Sequence, residues 1–292
     1  MKNEDITASR LDALHRQTER FVQFAGELEP VTSIKSPILL QYYNHLLELG
    51  ISDSYKRDCW ATAKQMIRFA WEQEILSDLP RNIDSFSIAI GLQQLVLFEG
   101  YEIRMLVDES SERSKLFWLL MLNTGMQQKD VANLKHSEID LEARTITRKR
   151  GKTKKHDNVP SVTYALWDCT AELLEKYVTE GEPAIKNVSG GSLYTEATKP
   201  DGKLKKTDAI KSAYFRVCKK TGRAKPLKAL RKSTATFIEN NYDEPLSQLF
   251  LCHAPRSVAG KNYVVPSMDR LAEALRSAEE HFFPEVEAES SE

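Results

Sequence analysis

The chain has 292 residues, 41% of them apolar and 28% charged, with a formal net charge of −1; this is the composition of an ordinary globular protein long enough for two domains with separate cores. It holds no run of about 18 apolar residues, so no membrane span is expected, and its N-terminus lacks the apolar core of a signal peptide. The four cysteines, Cys59, Cys169, Cys218 and Cys252, are scattered with no C-x-x-C pair, which argues against a disulfide framework or a zinc site and for a reducing, cytoplasmic setting.

Residues 5–25 are predicted helical, with Leu11, Leu14, Phe21, Val22 and Ala25 on one side. Ser36-Pro37 starts a second helix, the serine as cap and the proline at the first helical position. It runs through Leu39, Tyr42 and Leu46 to Gly50, which is expected to supply a left-handed stop. Ser52 caps a third helix reaching about Glu74, with Cys59, Ala63, Met66, Ile67, Ala70 and Trp71 as its apolar set. Arg57, Lys64 and Arg68 share a separate stripe by their i, i+7, i+11 spacing. Such a stripe either lies along DNA phosphates or is the solvated face of an amphipathic helix. Leu79-Pro80-Arg81-Asn82 ends this module, and an irregular linker is expected near 78–92.

A helix is predicted from Tyr101 to Asn123, apolar nearly all round between 115 and 122 and so central to a core. Thr124-Gly125 breaks it, and 127–134 makes a short helix with Val131 and Leu134 inward. Short β-rich runs at 138–141, 145–147 and 158–160 surround a Gly-containing turn and predict a small sheet. Its tip, Arg148-Lys149-Arg150-Gly151-Lys152-Thr153-Lys154-Lys155, is almost wholly cationic. Helices over 162–178, 208–221 and 227–241 follow, with a loop and a short strand at Ser192-Leu193-Tyr194 between the first two. Glu244-Pro245 starts a short helix before His253, and Pro255 a second one leading to Tyr263. Ser267 caps a last helix, 268–283, with Leu271, Leu275, Ala278 and Phe282 as its apolar stripe. The acidic tail beyond Pro284 is expected to be disordered. The fold class is mainly α with a small β-sheet (α+β).

The near-zero net charge hides an asymmetry. Residues 144–232 hold 22 lysines and arginines against 9 acidic residues, whereas 1–103 hold 10 against 15 and 233–292 hold 4 against 11. A basic block inside a neutral protein is the footprint of a polyanion. Within and beyond it, Leu227-Lys228-Ala229-Leu230-Arg231-Lys232 and Leu251-Cys252-His253, with Tyr263 ten positions after the histidine, read as a site for gripping a phosphate and attacking it. Arg231 and His253 are the candidate phosphate donors and Tyr263 the candidate nucleophile. Taken singly, each has an ordinary alternative: a helix-surface arginine, a satisfied core histidine, a packing tyrosine. The remaining histidines show no ligand spacing, and the sequence has no Gly-rich nucleotide loop, so no metal, nucleotide or other cofactor is expected.

In this order and spacing the motifs resemble those of the tyrosine recombinases, or phage integrases. That family ends its catalytic domain with H-x-x-R, L-G-H and a tyrosine, matched here by Lys228-Ala229-Leu230-Arg231, Leu251-Cys252-His253 and Tyr263, with 32 positions from Arg231 to Tyr263. The basic hairpin is similar to the family's, whose lysine stands at Lys152-Thr153, and Val159-Pro160 follows as in the family pattern. Thr124-Gly125 resembles the opening of the first arginine motif, T-G-x-R-x-x-E, but Gln127 stands where its arginine belongs and Asp130 at the acidic position. Lys228 replaces the H-x-x-R histidine, as in the related type IB topoisomerases.

The resemblance implies a helical core-binding domain over 1–90, a catalytic domain over 91–284 and an acidic tail over 285–292. It implies double-stranded DNA as partner, contacted by Arg57, Lys64, Arg68, Arg148, Lys149, Arg150, Lys154, Lys155, Arg223 and Lys225. Tyr263 is implied to form a 3′-phosphotyrosine, with Arg231 and His253 stabilising the phosphorane, Lys152 protonating the leaving 5′-oxygen, and Lys228 adding charge or taking the tyrosine's proton. Arginine suits such a site because its planar fork holds two oxygens at fixed charge. Gln127 brings hydrogen bonds without charge; Lys129, Arg223 and Lys225 are candidates for supplying the missing cation. The C-terminal stripe is expected either to pack on a neighbouring protomer on DNA or to fold back on its own core. The functional readings are a recombinase or integrase of a mobile element, a DNA-binding protein of the same fold with an impaired site, and a helical interaction module without a DNA role.

Overall fold

A computed structural model describes residues 6–26, 30–92, 94–149, 151, 159–199, 203–254 and 267–284. The chain forms two compact units, one of residues 1–95 with 196–205 and one of residues 96–195 with 206–292.

The first unit is built on three helices, α1 (Ala8–Ala25), α2 (Ser36–Glu48) and α3 (Asp53–Glu72). Ser52 caps α3 as expected, its hydroxyl accepting from the Tyr55 amide. Lys35, not Ser36, occupies the cap of α2, which places Pro37 second in the helix. Gly50 is not left-handed; α2 ends instead at an extended Leu49. The core is aromatic: Phe21, Tyr42 and Trp60 are buried, and Phe21 meets the Tyr42 ring edge-on at 4.8 Å. The expected inner face of α1 is corrected at Leu11, which is 61% exposed, while the polar Gln17 is buried on a 2.8 Å hydrogen bond from Thr62. The stretch expected as a linker is irregular but packed. Ile83 and Ile88 are buried with this core, and Trp60 Nε1 donates to the Phe86 carbonyl at 2.9 Å.

The second unit surrounds α5 (Glu112–Asn123), which is buried on every side from Leu116 to Asn123. The single helix expected over 101–123 is two, α4 (Gly100–Asp108) and α5, with Ser111 at the N-terminal boundary of the second and the polar 109–111 turn between them. Next come α6 (Gln128–Ala132) and the antiparallel strands β1 (Ile139–Asp140), β2 (Thr145–Arg148) and β3 (Val162–Ala165), in that spatial order. Strand β3 corrects the helix expected to start at Val162: Val162 and Tyr164 point inward and pair with Arg148 and Ile146 of β2. Helix α7 (Asp168–Tyr177) starts only after it. Asn123 joins the end of α5 to this turn, donating to the Ala165 carbonyl and accepting from the Trp167 amide at 3.0 and 2.8 Å. The loop expected over 186–201 carries half of a ribbon, β4 (Tyr194–Thr198) with β5 (Leu204–Asp208).

Helices α8 (Ala209–Thr221), α9 (Ala229–Asn241), α10 (Glu244–Phe250) and α11 (Met268–Phe282) complete the unit. Ser267 caps α11, its hydroxyl accepting from the Asp269 amide. Of the two roles expected for its stripe, the structure has the second. Leu271, Leu275, Ala278 and Phe282 are at most 2% exposed within the unit's own cores, and Trp167 Nε1 donates to the Leu275 carbonyl at 2.7 Å.

Candidate active site

Two turns of the second unit converge on one side chain. Arg231 lies in the first turn of α9 and is 6% exposed. One terminal nitrogen of its guanidinium donates to the Gly125 carbonyl and the other to the Leu251 carbonyl at 2.6 Å. The fork thus ties the turn after α5 to the turn after α10, and motifs about 100 residues apart in sequence share one site. Buried charge is tolerated here because backbone carbonyls receive it.

Both loops that Arg231 spans need unusual backbone. Gly125 has φ +61, and a Cβ there would lie 3.1 Å from the Phe250 ring and 3.2 Å from the Phe250 carbonyl oxygen. A side chain there would need Phe250 to shift by a few tenths of an ångström and would hold a left-handed backbone. Cys252 also has a positive φ, +47, at the position where the resembled L-G-H motif has glycine. Its thiol meets the Tyr164 hydroxyl at 3.0 Å, and that hydroxyl lies 2.8 Å from the Phe250 carbonyl. Burial pushes both the Tyr164 phenol and the Cys252 thiol up, so both stay protonated and neutral. Cys252 is a packing residue, not a nucleophile.

His253 follows directly. Its amide donates to the Gln248 carbonyl at 2.9 Å, and its Nδ1 lies 2.8 Å from Gln248 Oε1. Gln248, which the sequence did not single out, fixes the ring from one turn upstream. Gln127 stands before α6, its amide donating to Asp130 Oδ2 at 3.0 Å. Gln127 and the exposed Lys228 line one open cleft of about 380 Å³, together with Gln128, Lys211, Tyr214, Phe215, Lys225, Pro226 and Leu227. Arg231 thus joins the turns that carry Gln127 and His253, and Gln127 and Lys228 share a cleft beside them. Tyr263, Lys152, Arg150, Lys154 and Lys155, and the helix expected from Pro255, lie outside the described residues.

Among the expected DNA contacts, Arg57 and Lys149 are exposed. Lys64 and Arg68 reach Asp84 at 3.7 and 2.5 Å, and the Arg68 hydrogen bond holds that carboxyl below its ordinary value. Arg223 and Lys225 both turn to the buried Glu102, which they keep ionised against the cost of its burial. Arg148 departs most from expectation. It is 6% exposed and forms an ion pair with Asp130 at 2.7 Å, so it is not a surface contact of the hairpin tip. The period-two alternation of β2, with Ile146 in and Thr147 out, already puts position 148 inward.

The sequence profile of the phage integrase family matches residues 97–270. Among solved structures, a lambda integrase dimer bound to a COC′ core site is similar with TM-score 0.67 and 15% identity, over 91% of this chain and 75% of that one. A variant of the Tn1549 transposon integrase in complex with a circular-intermediate DNA gives TM-score 0.61 and 14% identity, over 94% of this chain and 95% of that one. A lambda integrase tetramer bound to a Holliday junction gives 0.63 and 16%, over 89% and 74%. At these identities the likeness establishes the fold. No curated protein matches the chain.

Proposed function

Because the chain belongs to the phage integrase family, we propose that it breaks and rejoins DNA strands at specific sites, with Tyr263 as nucleophile. The Tyr263 oxygen forms a bond to a backbone phosphorus, and the bond from that phosphorus to the 5′-oxygen breaks. A 3′-phosphotyrosine and a free 5′-hydroxyl result. Attack by the 5′-hydroxyl of another strand reverses the step and releases the tyrosine, so the bond energy is conserved and no nucleotide is consumed. Lys152 protonates the departing 5′-oxygen, and Lys228 adds charge or takes the tyrosine's proton. Arg231 and His253 meet the charge that builds on the phosphorane.

One observation carries this reading. Arg231 bridges the Gly125 and Leu251 carbonyls, which supports a fixed guanidinium close to the turns that carry Gln127 and His253. Preorganised charge is what an extra-charged transition state requires. In the proposal, residues 1–90 grip the duplex as a core-binding domain, 91–284 form the catalytic domain, and Lys149, Arg150, Lys154 and Lys155 track phosphates. Solved structures of similar fold include a dimer and a tetramer on DNA; self-association on DNA through the C-terminal helix is part of the proposal.

The test is covalent capture: the protein is mixed with a pooled library of nicked duplexes, denatured in SDS and inspected for protein-linked DNA, with Tyr263→Phe alongside. An adduct that Tyr263→Phe abolishes is expected. A second reading, a DNA-binding protein that has lost strand transfer, rests on Gln127 in place of the first arginine; it predicts salt-sensitive binding with no adduct.

A further inference from the structure

Gln127 removes a guanidinium from the first arginine motif but leaves that motif's carboxylate, Asp130, in place. Left alone, a partly buried carboxylate beside a phosphate site raises the energy of the anionic transition state. The chain holds another guanidinium at that carboxylate. Arg148 Nη2 lies 2.7 Å from Asp130 Oδ1, and the two side chains are 5% and 11% exposed. The other oxygen, Oδ2, accepts from the Gln127 amide at 3.0 Å. Asp130 thus links the position that lost an arginine to an arginine arriving from β2.

Position 148 is an inward one on a strand whose other inward residue is Ile146, where an apolar side chain is the ordinary occupant. An arginine there is costly unless it is paired. Its surroundings are those of the site itself. Its partner in β3 is Val162, its carbonyl lies 3.9 Å from the Cys252 thiol, and Cys252 stands between Leu251, which receives Arg231, and His253. The cations named from sequence are engaged elsewhere: Arg223 and Lys225 with Glu102, and Lys129 4.7 Å from the centre of the Tyr194 ring.

We propose that Arg148 takes over from the missing first arginine as a positioning residue: it neutralises Asp130 and, through it, holds the Gln127 turn in place beside the site. This rests on the strand-transfer reading above. Arg148 does not touch DNA in this role. The guanidinium has moved from the turn before α6 to the end of β2 while keeping the same carboxylate, which restores the balance of two arginines to one carboxylate.

The experiment is single-turnover adduct formation on the pooled nicked duplexes, with the thermal midpoint of each protein recorded. Four proteins are compared: unsubstituted, Gln127→Arg, Arg148→Met, and Arg148→Met with Gln127→Arg. Arg148→Met is expected to slow adduct formation by about a hundredfold, the order seen on losing one preorganised donor. Returning the guanidinium to the turn in the double variant is expected to recover at least tenfold of that loss. Gln127→Arg alone, whose side chain is half-buried at a cleft and is expected to fold, should gain less than tenfold because the carboxylate is already balanced. A folded Arg148→Met that cleaves like the unsubstituted protein overturns the proposal, as does a folded double variant with no recovery. If Arg148→Met fails to fold, Gln127→Arg decides: a gain of more than tenfold overturns the proposal. An adduct from Gln127→Arg but none from the unsubstituted protein overturns the role of Arg148 alone. No adduct from either overturns the strand-transfer reading and this inference with it.

Discussion

The core of the first unit and the loop crossing of the second solve different problems. Phe21, Tyr42 and Trp60 are packed from regular helix faces, with few polar groups to satisfy. Around Arg231 the chain is mostly turns: two positive-φ residues, backbone carbonyls aimed inward and a buried ion pair. The first arrangement supplies stability through apolar area. The second gives up regular structure to hold charge in fixed places, as sites that stabilise developing charge must. Substitutions should therefore separate stability from chemistry, one in each direction.

The largest effect is expected from truncation after Pro266. With α11 gone, Trp167, Phe250 and Tyr164 lose their cover, and thermal unfolding should show the second unit no longer folding cooperatively. Arg231→Ala should sharpen the contrast from the other side. Adduct formation should fall by roughly a hundred- to thousandfold, while the two orphaned carbonyls cost about 1–3 kcal/mol each by denaturant titration. Trp60→Ala should do the reverse, destabilising the first unit by about 3–5 kcal/mol while leaving the adduct rate of the folded fraction on nicked DNA within a few-fold. Gly125→Ala forces a Cβ against Phe250 in a left-handed turn; a loss of about 2 kcal/mol is expected in the same titration. The smallest effect is expected at the exposed Lys149: Lys149→Ala should lower the dependence of log K on log salt for duplex binding by about 0.9, as for one released counterion.

The parts of the fold with a local cause were legible in the sequence. Ser52 and Ser267 cap their helices, and the Leu271-Leu275-Phe282 stripe is buried as its spacing required. Short apolar runs were not: Val162–Ala165 reads equally as helix or strand until β2 is there to pair with it. The break at 109–111 was legible in the polar run from Asp108 to Lys115, but the apolar residues on either side of it share helical spacing and read as one helix. At the site, Arg231 and His253 were legible as motif positions. What fixes them was not, because the Gly125 and Leu251 carbonyls, Gln248 and the Asp130–Arg148 pair depend on contacts between distant segments. Arg148 was misplaced for a physical reason: counted as charge it belongs to the hairpin tip, but counted by strand alternation it belongs inside.

The most direct test of the account is the chemical identity of the protein–DNA bond. The adduct trapped on nicked duplex is digested with protease and the DNA-bearing peptide mapped by mass spectrometry, while the released strand is offered to polynucleotide kinase. The account predicts a phosphodiester from Tyr263 to a 3′-end and a released strand whose free 5′-hydroxyl accepts a phosphate. A bond to another residue, or a tyrosine joined to a 5′-phosphate, would contradict it.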